Sequence, residues 1–380
     1  MLKILLHIIS GALLACLLMP AYSNEYQPDF SPGYRPDLST DEGGFWYQVD
    51  KFEKQIKESP ELIVDAELNA YVKNITCKIT PDYCPFIRIY IIKSPHFNAS
   101  MFPNGMMHIW SGLLLRVKNE AELATVIAHE IAHFLRSHQI QQWRRLKTNT
   151  SISIFFDAFL TMGLATLGAV NNAMAFSRDQ ESEADLYGLQ LMSQAGYSPY
   201  AASSLWEYVY KETENDKTKQ KQNSFFASHP KTKDRLLVLK EKATSIDTAD
   251  KFSLNQEAYV NTIAPHYFEM MKSHLVLRDI GRTEMMLQRH ETIGYKTGDL
   301  EYFRAEMYKT RAGEGDLQKA IEHYKKSVLS DSTPLEAYRE LGYLLTKQRD
   351  PEAKHYLQKY LDANPEASDK KMILFYLNAM

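Results

Sequence analysis

Residues Ala121 to His138 read Ala-Glu-Leu-Ala-Thr-Val-Ile-Ala-His129-Glu130-Ile-Ala-His133-Phe-Leu-Arg-Ser-His138. Leu123, Val126, Ile127 and Ile131 recur at helical spacing, so this stretch predicts a helix. Ala124, Val126, Ile127, Ala128, Ile131 and Ala132 make that helix apolar on nearly every side, as a buried helix is. Inside it lies His129-Glu130-Ile131-Ala132-His133, an H-E-x-x-H pattern. Residues i and i+4 stack on one helical face, so two imidazoles can converge on one metal ion. Glu130 projects beside them, where it can reach a metal-bound water as general base without ligating the metal. Buried histidines need partners, which weighs against two solvated side chains.

A catalytic zinc uses three protein ligands. The H-E-x-x-H-x-x-G-x-x-H pattern fails here, because Arg136 and Gln139 occupy the required positions. The third ligand must come from elsewhere. A second strong helix is predicted from about Asp179 to Ala195, ended by Gly196. It carries Glu181-Ser182-Glu183-Ala184-Asp185. Glu181 and Asp185 form another i, i+4 pair, suited to one metal ligand and one carboxylate accepting a hydrogen bond from a ligand imidazole. Glu183 points off that face, and His138, five residues past His133, reads as serving the helix end.

Working outward, Met1-Leu2-Lys3 followed by an apolar run to Met19, Pro20 and Ala21-Tyr22-Ser23 reads as a signal peptide over residues 1–23. A lipid anchor on Cys16 is the alternative. Export agrees with Cys77 and Cys84, two closely spaced cysteines expected to form a disulfide. Residues 24–44, with three prolines and Gly43-Gly44, read as a linker or extended arm. Helices are expected over Phe45–Ile56 and after a cap at Asp65, and strands at Phe86–Ile92 and Met106–Trp110. Residues 45–245 thus read as one α+β domain with a small sheet.

Beyond about residue 250 the chain reads as helix after helix. Gly315-Asp316-Leu317-Gln318-Lys319-Ala320 echoes Asp350-Pro351-Glu352-Ala353, with Ala320 and Ala353 33 positions apart, close to the ~34-residue tetratricopeptide period. Residues 250–380 are therefore expected to be an all-α, TPR-like repeat domain able to hold a peptide or partner helix. The 380 residues carry a formal net charge of -3, with no basic excess to suggest nucleic-acid binding.

Asn98-Ala99, Pro103-Asn104-Gly105, Ser111-Gly112-Leu113-Leu114, the His129 helix, Glu181 to Asp185, and Ser228-His229-Pro230 followed by Arg235 stand in an order that resembles peptidase family M48, most nearly its BepA-like periplasmic branch with C-terminal tetratricopeptide repeats. The resemblance runs from about Glu42 to Lys242. It implies a zincin-type (gluzincin) metalloprotease domain with one Zn2+ per chain, bound by His129, His133 and Glu181, with Glu130 as general base. It further implies that His229 can fill the fourth zinc position and hold the enzyme inactive. Asp185 would orient a ligand histidine, and Arg235 would steady an oxyanion. The stretch Met106-Met107-His108-Ile109-Trp110 resembles the edge strand that pairs with extended substrate. The expected protein is a periplasmic endopeptidase acting on unfolded or misassembled envelope proteins. Its expected contacts include outer-membrane assembly machinery through the helical repeats; the apolar stretch Ile152–Ala175 reads either as a helical hairpin that covers the cleft or dips into a membrane surface, or equally as buried core. A chaperone or adaptor with little proteolysis is the alternative.

Overall fold

The computed structural model describes residues 26–147, 175–214, 225, 228–229, 233–246 and 251–379. The leader, the apolar stretch from Ile152 and Pro230 lie outside the described residues. No helix among those described is long and apolar enough to cross a membrane.

Helix α1 spans Asp41–Lys57 and buries Phe45, Val49, Phe52 and Ile56. It begins four residues earlier than the sequence suggested, because the Thr40 side chain accepts from the Gly43 N–H and caps it. Gly43, which reads as a breaker, is in the helix for want of space: a Cβ there would lie 2.2 Å from the Asp37 carbonyl oxygen. Helix α2, Ala66–Ile79, starts at Asp65, whose carboxylate accepts from the Leu68 N–H. A disulfide joins Cys77 in α2 to Cys84, in the short 3-10 turn Cys84–Phe86, with Cα atoms 4.8 Å apart.

Three strands follow, β1 (Arg88–Ile92), β2 (Ala99–Met101) and β3 (Met106–Trp110). Their order is β1-β3-β2, with β3 parallel to β1 and antiparallel to β2. This corrects one expectation. Met106–Trp110 is the central strand, with both edges paired and all five residues buried. The free edge belongs to β2, too short at three residues to leave a pattern in the sequence.

Helix α3 (Ser111–Arg116) leads into α4 (Glu120–Leu135), which is buried along its whole length and capped by Asn119. The expected single helix to His138 breaks instead. Ser137 takes a positive φ of 52°, and α5 (His138–Lys147) leaves in a new direction. The arm 26–40 is not a free linker. The Asp29 N–H donates to the Leu135 carbonyl at the end of α4, and Phe30 packs edge-on to Phe134.

Helices α6 (Arg178–Gln194), α7 (Tyr200–Glu214) and α8 (Lys233–Ile246) complete the surroundings of α4. The rest is helical, from α9 (Gln256–Leu275) through α10 (Ile280–Glu291), α11 (Thr297–Arg311), α12 (Asp316–Val328), α13 (Leu335–Lys347) and α14 (Glu352–Ala363) to α15 (Lys370–Ala379). α11 packs on α12 and α13 on α14 as successive pairs. Ala320 and Ala353, both fully buried, lie in the N-terminal part of the second helix of each pair, at its fifth and second positions.

One hydrophobic core runs from Leu68 in α2 through α4 to Ala353 in α14. Tyr259 donates to the Leu114 carbonyl and His290 Nε2 to that of Leu115, tying α9 and α10 to the end of α3. Such a shared core predicts joint rather than independent motion of the two parts.

Candidate metal centre

The centre is built where α6 crosses α4. α6 starts in a capping box, Ser177 and Gln180 each bonding the other's backbone N–H. That cap sets the helical phase, so Glu181, Asp185 and Gly188, at i, i+4 and i+7, face α4. Gly188 permits the close crossing: a Cβ there would lie 3.0 Å from the backbone nitrogen of His129.

His129, His133, Glu181 and His229 each offer one ligand atom, all within 4.8 Å of one another and all buried. His129 Nε2 lies 3.1 Å from His133 Nε2 and 3.2 Å from His229 Nδ1. Glu181 Oε1 lies 3.4 Å from His133 Nε2 and 2.9 Å from His229 Nδ1. A tetrahedral zinc with bonds of ~2.0–2.1 Å has donor–donor edges of roughly 3.3 Å. The spacing fits.

Proton placement fits as well. His129 Nδ1 is 3.1 Å from Asp185 Oδ1, and the nearby carboxylate favours the tautomer with its proton on Nδ1 and a lone pair on Nε2. His133 Nδ1 is 2.9 Å from His138 Nδ1, and His138 Nε2 is 3.1 Å from Glu183 Oε2. Glu183 accepts from His138, so His138 accepts from His133, and His133 Nε2 is also bare. Two imidazole lone pairs then face each other at 3.1 Å, an arrangement that a cation between them stabilises.

The electrostatics agree. Burial foremost holds His133 well below the ordinary histidine range, hence neutral. Burial would raise Glu181, but His229, Arg235 and His133 overcome it and keep the carboxylate ionised. Asp185 is likewise lowered, Arg235 overcoming its burial. Burial pushes Glu130 upward, as suits a group that must take up a proton. His229 is pushed down by burial and raised on balance by Glu181 and Glu130.

Several residues sit differently from their sequence assignments. Arg235 Nη1 is 2.7 Å from Glu181 Oε2, and its Nε and Nη2 hold Asp185 at 2.6 and 2.9 Å. Its side chain lies between these carboxylates and pairs with both. His138 does not serve the helix end; the turn at Ser137 sends it back onto His133. Glu183, set aside as off-face, anchors His138 and accepts from Arg136 Nε at 2.7 Å. Arg136 also bonds Asp29 of the arm. Phe176 stacks on His133 with centroids 3.9 Å apart, and Phe225 on His229 at 4.2 Å. Nothing in their local sequence marked those two aromatics; only contact with the ligand rings does. His108 lies in β3 among Phe52, Tyr90 and Phe102, away from the centre.

The sequence model of Peptidase family M48 matches residues 63–243, the stretch that contains this whole centre. That stretch is a Peptidase family M48 domain. The chain is 26% identical over 246 residues to the beta-barrel assembly-enhancing protease of Yersinia pestis, a match covering 60% of this chain and 49% of that protein. It is 32% identical over 159 residues to the mitochondrial metalloendopeptidase OMA1 of Schizosaccharomyces pombe, covering 40% and 45%. The Escherichia coli beta-barrel assembly-enhancing protease is 25% identical over 259 residues, covering 62% and 52%. The chain thus spans about half the length of these relatives. The M48 domain is of metallopeptidase type, and zinc is its metal.

Proposed function

We propose that the protein is a zinc-dependent endopeptidase of the bacterial periplasm that cleaves unfolded or misassembled envelope proteins and is held closed by His229. The observation that carries this reading is the position of His229. Its Nδ1 completes the four-donor cluster, while its Nε2 lies 3.5 Å from Glu130 Oε1. His229 therefore stands between the general base and the three other donors, where an attacking water belongs.

His129, His133 and Glu181 would hold the zinc, and Asp185 and His138 would fix the rings of the two histidines. Zinc, when bound, supplies Lewis-acid polarisation of the scissile carbonyl. Glu130 takes the proton of the attacking water and delivers it to the leaving amine. Its burial, and the N–H of Met101 donated to its Oε2 at 3.1 Å, keep it in place for both transfers. Arg235 pairs with Glu181 and Asp185 together and offsets part of their charge, which helps two buried carboxylates share one site. A four-donor set is a closed site, and withdrawal of His229 leaves three protein donors with one position open, as hydrolysis needs.

The paired helices α11/α12 and α13/α14, with their 33-residue spacing, support a TPR-like module that holds a client or a partner such as outer-membrane assembly machinery. Periplasmic location and envelope clients are carried over from the named activity of the relatives and from the N-terminal leader pattern. The closed centre gives the adaptor reading its one support, since a plugged protease would act chiefly by binding.

Zinc content and casein cleavage, measured on the full chain beside Glu130→Gln and His229→Ala, test the reading. One zinc per chain, cleavage abolished in the first variant and raised in the second, is the expected result. Zinc without cleavage in any variant favours the adaptor, and absence of zinc overturns the centre.

A further inference from the structure

β2 is the edge strand of the sheet that runs past the metal centre, its Met101 N–H meeting Glu130. Phe102 N–H donates to the Met106 carbonyl across the β2–β3 ladder. In an antiparallel pair, bonded and non-bonded positions alternate, so Met101, opposite Met107, turns its N–H and C=O away from β3. These outward groups are what an incoming extended peptide would pair with. Both are already taken. Glu130 Oε2 accepts from the Met101 N–H, and Gln139 Nε2 donates to the Met101 carbonyl at 3.0 Å.

Gln139 reaches that carbonyl because of the left-handed turn at Ser137, which starts α5 pointing back towards the sheet. Its side chain is buried, and among the described residues its Oε1 has no hydrogen-bond partner. It also lines a small pocket of about 10 Å³ with Trp46, Pro103, Phe134 and Ile140. A side-chain amide held on that carbonyl by a single neutral hydrogen bond is weakly retained, since such a bond contributes only a small net stability. By contrast, a substrate strand would satisfy the carbonyl with a main-chain N–H and set the amide free.

We propose that Gln139 is a displaceable cap on the substrate edge of the sheet, occupying the Met101 carbonyl until the backbone of an extended peptide replaces it. The cap rests on the protease reading for its meaning and adds a second closure to that of His229. It acts on substrate binding, whereas His229 acts on the metal. It also keeps the Met101 end of the edge from weak or short partners, as sheet edges generally require.

The test is the affinity of the full chain for a fluorescein-labelled β-casein peptide, followed by anisotropy with a zinc chelator present so that nothing is cut. Gln139→Leu removes the donor at similar volume, and Gln139→Met is the second variant should the first fold poorly. Loss of one neutral hydrogen bond from the free state is expected to tighten binding about three- to tenfold. With zinc restored, the gain should fall in KM rather than kcat. A peptide N-methylated along its centre cannot donate to the carbonyl and should lose the gain, an outcome that mere loosening of the structure would not give. Unchanged or weaker binding in folded variants overturns the cap, and so does an equal gain for the methylated peptide. Tighter binding without zinc-dependent cleavage in any form would keep the cap and sink the protease reading instead.

Discussion

Replacing His138 by Phe should weaken zinc binding without touching a zinc ligand. In the folded chain His133 Nδ1–H donates to His138 Nδ1 at 2.9 Å, and His138 Nε2–H donates to Glu183 at 3.1 Å. Phe keeps the ring volume beside Phe176 and removes both nitrogens. His133 then has a buried N–H with no acceptor, a loss of about 1–3 kcal/mol. Its ring also loses the bond that fixes which nitrogen carries the proton. Removing such an orienting partner lowers metal affinity about 10–100-fold, equivalent to roughly 1.4–2.7 kcal/mol. The two estimates overlap, so a zinc Kd at least tenfold weaker is expected. Competition against a zinc-chelating fluorophore measures it, with circular dichroism to establish that the variant is folded. Glu183→Gln retains an acceptor oxygen for His138 and should fall between parent and His138→Phe. A Kd for folded His138→Phe within twofold of the parent would refute the argument that this chain of bonds orients His133.

Gly188→Ala places a methyl group 3.0 Å from the His129 backbone nitrogen, so α6 must shift from α4; zinc content at equilibrium should drop while far-ultraviolet dichroism stays near the parent's. Glu212→Ala leaves Arg116, buried and held by Glu212 at 2.8 and 2.9 Å, without its counter-charge, and should lower stability by about 3–5 kcal/mol in urea unfolding. His108 is fully buried, its two ring nitrogens have no partner among the described residues, and burial lowers its pKa to about 3. The unfolded state takes up that proton below about pH 6.5 and the folded state does not. Stability therefore falls with pH between about 6.5 and 3, by up to roughly 1.4 kcal/mol per pH unit. His108→Leu should remove that part of the slope and raise the urea midpoint at pH 5; an unchanged slope would show that His108 is not the group responsible.

Much of the centre was legible because helices are local. The spacing of His129 and His133 and of Glu181 and Asp185 fixes which side chains share a face whatever lies around them. The apolar flanks of the first pair announced a buried helix, and observed α4 is buried at every position. The edge strand was not legible, since order within a sheet depends on pairing between segments, and Met106–Trp110, with the stronger strand pattern, takes the middle. Arg235 was placed near the site by resemblance, but its partners were decided by where α8 lies against α6. His138 and Gln139 were misread or passed over for one reason: a helix continued to His138 sends them elsewhere, and a single residue, Ser137, takes the left-handed conformation.

The sequence by itself determined a buried helix carrying two histidines and a glutamate on adjoining positions, a second helix carrying two acids, and a helical C-terminal third. Those follow from periodicity and from the chemistry of the side chains. Tertiary structure decided the order of the strands, which groups lie against His129 and His133, and that His229 joins their cluster while Gln139 meets the Met101 carbonyl. Each of these depends on contacts between residues far apart in the chain. The enthalpy of such contacts, and the room they need, exist only once the helices have packed.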